Sequence, residues 1–220
     1  TMKSNIMPVS LGNYPTPIIK LERLSKELGK SIYVKRDDYS GIELSGNKIR
    51  KLEYSLGEAL SKGADTIITC GAVQSNHARA TVSACRVLGL DVHLVLRTKD
   101  GKEPEGKEGN NLLDYILGAK ITYLSEEEFK NHNEVMESIK KSYLSEGKKP
   151  YLIPVGASNG VGTLGYFSGY EEILTQERNL DINFDSIVCT IGSGGTFAGL
   201  WLGNEIHNKS KNIIGISISE

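Results

Sequence analysis

The chain has 220 residues, 39 % of them hydrophobic and 24 % charged, with a formal net charge of −1. That is an ordinary globular balance with room for one large domain or two modest ones. It offers no electrostatic footprint for nucleic acid or an anionic membrane, so a small-molecule partner is the default. Cys70, Cys85 and Cys189 show no paired spacing, which favours a reduced, cytoplasmic setting, and no Cys/His cluster has metal-ligand spacing, so no metal is expected. The opening TMKSNIMPVS does not read as a signal peptide, and no apolar run reaches membrane-spanning length.

In chain order, Ile32–Arg36 reads as a short strand, followed by a helix over Ile49–Lys62 that Gly63 stops. Thr66–Gly71 is a buried strand and Asn76–Leu88 a helix, closed by Gly89. Val92–Arg97 is the next strand. Lys99–Asn110 is a polar surface loop with the composition of a mobile one, and Asn110–Leu117 is a helix. Lys120–Leu124 is a strand. Ser125, followed by three glutamates, caps one long helix over Glu126–Glu146, which Gly147 and Pro150 end. Tyr151–Gly156 is a strand. The Gly, Ser and Asn-rich stretch Val155–Tyr166 reads as a crossover between two lobes. Ser186–Gly192, Gly194–Asn208 and Ile213–Ile218 then read as strand, helix and strand. Strands alternating with helices predict an α/β fold of two three-layer αβα lobes with mainly parallel sheets. Residues 1–49 with 158–220 would form the larger lobe and 50–157 the smaller. The larger has few strands of its own, so it is expected to be incomplete, in a chain lacking a C-terminal part.

Three constellations could carry chemistry. In SGNKIRKLEY (Ser45–Tyr54), Gly46 permits a turn, Asn47 and Lys48 open a helix, and Lys51 lies one turn on. A lysine between a polar turn and an apolar face can lose its proton and act as a nucleophile, although a single such lysine is more often simply solvated. In CGAVQSNHARAT (Cys70–Thr81), Ser75, Asn76 and His77 sit where a strand gives way to a helix, at a sheet edge where free N–H groups bind anions. Helix capping alone would explain Ser75. In IGSGGTFAGL (Ile191–Leu200), the turn Gly192, Ser193, Gly194, Gly195, Thr196 could cradle a phosphate, or merely pack a helix start closely. It is not a Walker loop. A nucleotide-binding oxidoreductase would rest on these glycines alone, without an early GxGxxG or an acidic partner for a ribose. His93 reads as structural, His132 and His207 as surface residues, and Trp201 and Cys70 as packing.

The order of these signals is more specific than any one of them. YPTPIIKLERLS, VKRDD, GNKIRKLEY, GAVQSNHAR, PVGASN, LGY and GSGGTFAGL together resemble the D-cysteine desulfhydrase and 1-aminocyclopropane-1-carboxylate deaminase family. These are tryptophan-synthase-β-like enzymes of fold type II that use pyridoxal 5'-phosphate (PLP). The resemblance implies that Lys48 carries the cofactor and shuttles the substrate proton. It implies that Asn76 bonds the ring oxygen, and that Gly192 to Thr196 with Lys51 hold the phosphate. Asn47, Ser75, Asn76 and the N–H groups around His77 would hold the substrate carboxylate, and Ser75 has a more active role in the deaminase branch. The implied reaction is elimination from D-cysteine to pyruvate, sulfide and ammonia. The deaminase, an L-cysteate sulfo-lyase and a truncated PLP-binding protein without turnover are the alternatives. QSNH is closer to the desulfhydrase branch, since deaminases tend to read QSNQ. A homodimer is implied by analogy.

Overall fold

The computed structural model describes residues 5–41 and 46–218; Ser45, which opens the first motif, lies outside them. The central element is a four-stranded, fully parallel sheet of β3 (Thr66–Ala72), β4 (Asp91–Arg97), β5 (Lys120–Leu124) and β6 (Pro150–Leu152), in the order β5-β4-β3-β6. Helices α3 (Asn76–Leu88), α4 (Gly109–Ile116), α5 (Glu126–Phe129) and α6 (His132–Ser145) connect its strands. Successive residues of β3 enter opposite cores: Ile67 packs with Leu52, Leu56 and Leu94, whereas Ile68 and Cys70 pack with Val95, Met136 and Tyr143. Burial on both faces is why these strands read as unbroken apolar runs.

Before the sheet lie an antiparallel ribbon, β1 (Ile18–Lys20) with β2 (Tyr33–Lys35), and α1 (Glu22–Leu28) between its strands. Helix α2 (Lys48–Ser61) follows and turns Ile49, Leu52, Leu56 and Ala59 into the core under β3. Beyond β6 come α7 (Gly160–Leu180), β7 (Ser186–Ile191), α8 (Gly195–Gly203) and β8 (Asn212–Ser217). Strands β7 and β8 pair in parallel as a separate two-stranded sheet. One face packs on Tyr166, Tyr170, Ile173 and Leu200, and the other leaves Val188 62 % exposed.

Several expectations need correction. The helix expected over 126–146 is two helices. The Phe129 carbonyl, which a continuous helix would give to residue 133, is taken by His132 Nδ1 (2.7 Å), and Asn131 leaves the helical region. The strand expected over 151–156 stops at Leu152, because Pro154 has no N–H to continue the ladder. The stretch Val155–Tyr166 is only in part a connection: from Gly160 it is the start of α7, the longest helix. The helix expected over 194–208 ends at Gly203 and widens into a π-type turn, Asn204–Asn208. Trp201 is 48 % exposed rather than core, since α8 turns Gly199, Leu200 and Gly203 toward its neighbours. Elements β1 and α1 go beyond the sequence reading. Among the described residues no helix is long and apolar enough to cross a membrane.

Candidate active site

Gly46 (φ +143°) turns the chain into α2, so that Asn47 precedes the helix and Lys48 is its first residue. Lys48 and Lys51, one turn apart, both face a cavity of about 410 Å³ that α3 and the β7–α8 turn also line. Lys48 Nζ lies 3.3 Å from Asn47 Oδ1, and burial lowers its pKa. Burial, then the neighbouring charge of Lys48, holds Lys51 at about 7. A desolvated amine gives up its proton readily, which a nucleophile or base on this wall requires.

Across the cavity, β7 runs into Gly192, Ser193 and Gly194. Gly194 takes φ +90°, open to glycine at low cost, and starts α8 at Gly195. Ser158 organises this turn. Its Oγ lies 2.6 Å from Ser193 Oγ, accepts from the Gly195 N–H (3.1 Å) and receives Lys51 Nζ (3.2 Å). Thr196 Oγ1 accepts from Asn47 Nδ2 at 3.1 Å, which ties the two walls together. A Cβ on Gly195 would lie 2.6 Å from Ser158 Oγ and 3.1 Å from Lys51 Nζ, so the cradle has room for a ligand oxygen only while residue 195 is glycine. Hydroxyls, a lysine and a helix N-terminus converging on one place suit a phosphate. The sequence motifs name no role for Ser158; its signal is the PVGASN stretch, which counts toward the family resemblance without a residue in it being singled out.

The start of α3 supplies the third wall. Ser75 caps the helix, its Oγ accepting from the Ala78 N–H at 3.1 Å. Asn76 lines the cavity. The His77 ring does not: it is buried, with Nε2 2.7 Å from Thr69 Oγ1, which itself donates to the Ile153 carbonyl (2.7 Å). Burial, followed by the charges of Lys48 and Lys51, lowers its pKa to about 3, so the ring is neutral. Anything position 77 offers a ligand comes from its backbone, since the ring is taken up in the core.

Lys35, Asp37 and Tyr166 bring to the cavity wall a charge network absent from the sequence reading. Tyr166 donates to Asp37 Oδ2 (2.7 Å), and Arg50 bonds Asp37 (2.8 Å) and Glu172 (3.0 Å). Lys35 bonds Glu172 (2.6 Å) and Gln176 (2.7 Å). Burial opposes ionisation of Asp37 and Glu172, but their bonds to Arg50 hold both carboxyls below the usual range. The network joins the VKRDD segment, α2 and α7.

A lysine facing a hydroxyl-lined helix start across one cavity, on parallel α/β scaffolding, defines a class. The model of the family described as "Pyridoxal-phosphate dependent enzyme" matches residues 9–219, and the chain belongs to that family. Within it, a solved "ACC deaminase homologue" superposes with a TM-score of 0.90 at 46 % identity, over 98 % of this chain and 64 % of that one. A Pyrococcus abyssi protein with a provisional name as 1-aminocyclopropane-1-carboxylate deaminase is 46 % identical over 96 % of this chain and 62 % of its own length. An Arabidopsis thaliana mitochondrial protein, named a bifunctional D-cysteine desulfhydrase/1-aminocyclopropane-1-carboxylate deaminase, is 45 % identical over 89 % of this chain and half (50 %) of its own. The chain thus spans less than two thirds of these relatives' lengths.

Proposed function

We propose that the protein acts as a PLP-dependent D-cysteine desulfhydrase, releasing sulfide, pyruvate and ammonia from D-cysteine. The observation that carries this reading is the half-buried Lys48 amine at the cavity wall, opposite the Lys51–Ser158–Ser193 cradle. The residues fit the cofactor: Lys48 offers an amine to its aldehyde, and Lys51 with Gly192, Ser193, Gly194, Gly195 and Thr196 offers donors to its phosphate. When bound, PLP supplies an electron sink that acidifies the substrate Cα–H. Lys48 Nζ, lowered in basicity by burial, would take that proton as the Cβ–S bond breaks and sulfide leaves. Asn47, Ser75 and the N–H groups of Asn76 and His77 orient the substrate carboxylate at the positive end of α3.

Removal of a Cα proton asks only for a base of this kind. Opening a cyclopropane ring that has no Cα–H asks for a further group, and the Tyr166 hydroxyl, which lines the cavity, is already engaged as a donor to Asp37. The deaminase reading is retained as the second because the Pyrococcus and Arabidopsis relatives carry that name. On either reading, residues 1–49 with 158–220 build one lobe and 50–157 the other, and the working enzyme is a homodimer, which sedimentation equilibrium tests.

The deciding experiment loads the protein with PLP and follows its visible band during addition of D-cysteine, with sulfide and pyruvate measured. A changing band with sulfide release supports the desulfhydrase. Release of 2-oxobutanoate from 1-aminocyclopropane-1-carboxylate without sulfide from D-cysteine would replace it with the deaminase. Sulfite from L-cysteate would point to the sulfo-lyase, and an unresponsive band to binding without turnover.

A further inference from the structure

The start of α3 is gripped from outside by the residues that begin α4. Asn110 is the hub. Its backbone N–H donates to Gln74 Oε1 (2.8 Å), while its Nδ2 donates both to the Gln74 carbonyl (2.8 Å) and to Asn76 Oδ1 (2.9 Å). Gln74 Nε2 donates to the Glu108 carbonyl (3.2 Å). Main-chain groups dictate each orientation. A backbone carbonyl only accepts, so Asn110 must show Gln74 its NH2 group, whose second hydrogen then meets Asn76. Arg79, which can only donate, approaches the same Asn76 oxygen through Nη2 at 3.4 Å. Both neighbours thus demand the Asn76 oxygen, and the amide nitrogen is what remains for the cavity that Asn76 lines.

We propose that Asn110 is a positioning residue, which holds the Asn76 carboxamide with its NH2 toward the cavity so that this wall donates to an anionic ring oxygen. A freely turning asparagine would show oxygen as readily as nitrogen, and an oxygen there would repel such a ligand. The proposal rests on the PLP reading only for the identity of that oxygen. The grip also ends the loop expected to be mobile, since Glu108 and Asn110 are both held by Gln74.

Two readouts test it, on the wild type and on Asn76→Ala, Asn110→Ala and Asn110→Asp. The first is the side-chain amide NMR spectrum of the cofactor-free protein. The Asn76 amide pair is expected to be dispersed in the wild type and to move toward free-amide positions in Asn110→Ala. The second is the pH at which the visible band titrates after loading with PLP. Loss of one donor to the ring oxygen is expected to raise that pH by about one unit in Asn76→Ala. Asn110→Ala should reproduce at least half of that rise. Asn110→Asp should reproduce all of it, because a carboxylate accepts from the Asn76 NH2 and turns the oxygen inward. The proposal is overturned if the Asn76 resonances are unmoved in Asn110→Ala, if the Asn110 variants titrate as the wild type, or if Asn76→Ala itself leaves the titration in place. Should Asn110→Asp fail to fold by circular dichroism, Asn110→Ala decides, since it removes the donor without adding charge. If the wild type takes up no PLP, the functional reading fails and the amide spectrum alone decides the positioning.

Discussion

The two parallel sheets differ in how completely they are covered. The central strands of the four-stranded sheet, β3 and β4, bury nearly every residue on both faces, while its outer strands β5 and β6 are half-buried. In β7 and β8 residues alternate between partly covered and exposed, with Val188, Ile214 and Ile216 open. The cavity draws on both, taking its amines from α2, which packs under the first sheet, and its anion cradle from the turn after β7. Chemistry here depends on holding a closely covered scaffold and a thinly covered one in register.

The sharpest way to break that arrangement is at the amine. Lys48→Ala is expected to abolish covalent PLP attachment and to lower turnover by about 10³-fold or more, measured as loss of the bound visible band and of sulfide release. A matched pair of truncations compares the two sheets directly. Ile68→Ala, in the fully buried strand, should cost about 2–5 kcal/mol in urea denaturation.

Acid should weaken the covered region in particular. His77 and His93 are buried and neutral: burial and then neighbouring lysine charge lower His77 to about 3 and His93 to about 4. The unfolded chain binds protons from about pH 6.5, which the native state does not, so stability is complete above 6.5 and falls toward 4. The slope is about 1.4 kcal/mol per pH unit for each ring. Denaturation at pH 7 and pH 5 should show that loss, and His93→Gln should remove about half of it. At the cradle, Lys51→Met should weaken PLP affinity by about tenfold. Because the Lys51 amine is held at about 7, wild-type affinity for inorganic phosphate should decline as pH rises through that value. On the open face, Ile216→Ala should change stability by less than about 0.5 kcal/mol.

What could be read in the sequence follows from the same contrast. The buried strands announced themselves through unbroken runs such as TIITCG and VHLVLR, and the three motifs named Lys48, Lys51, Asn76 and Ser193–Thr196, all of which line or adjoin the one cavity. The charge network was invisible because Asp37, Arg50 and Glu172 are far apart in the chain and polar residues carry no burial signal. Helix α7 was missed for a different reason. Its first half, GVGTLGYFSG, carries four glycines, which intrinsic propensity assigns to loops, and here packing overrides propensity. His77 shows the reverse error: a residue in a functional motif whose ring serves the core.

Those glycines also set a dimension. A Cβ on Gly165 would lie 2.2 Å from the Arg50 carbonyl of α2, and one on Gly199 of α8 would lie 2.5 Å from Tyr166 Cβ of α7. Helix α7 is thus the common spacer for the helix that bears the amines and the helix that caps the cradle. The gap between Lys48 and the phosphate-shaped turn is gauged by missing methyl groups, and one added carbon in either seam would recalibrate the reach of the enzyme, at Gly165 by pressing on the Lys51 backbone N (2.7 Å) as well.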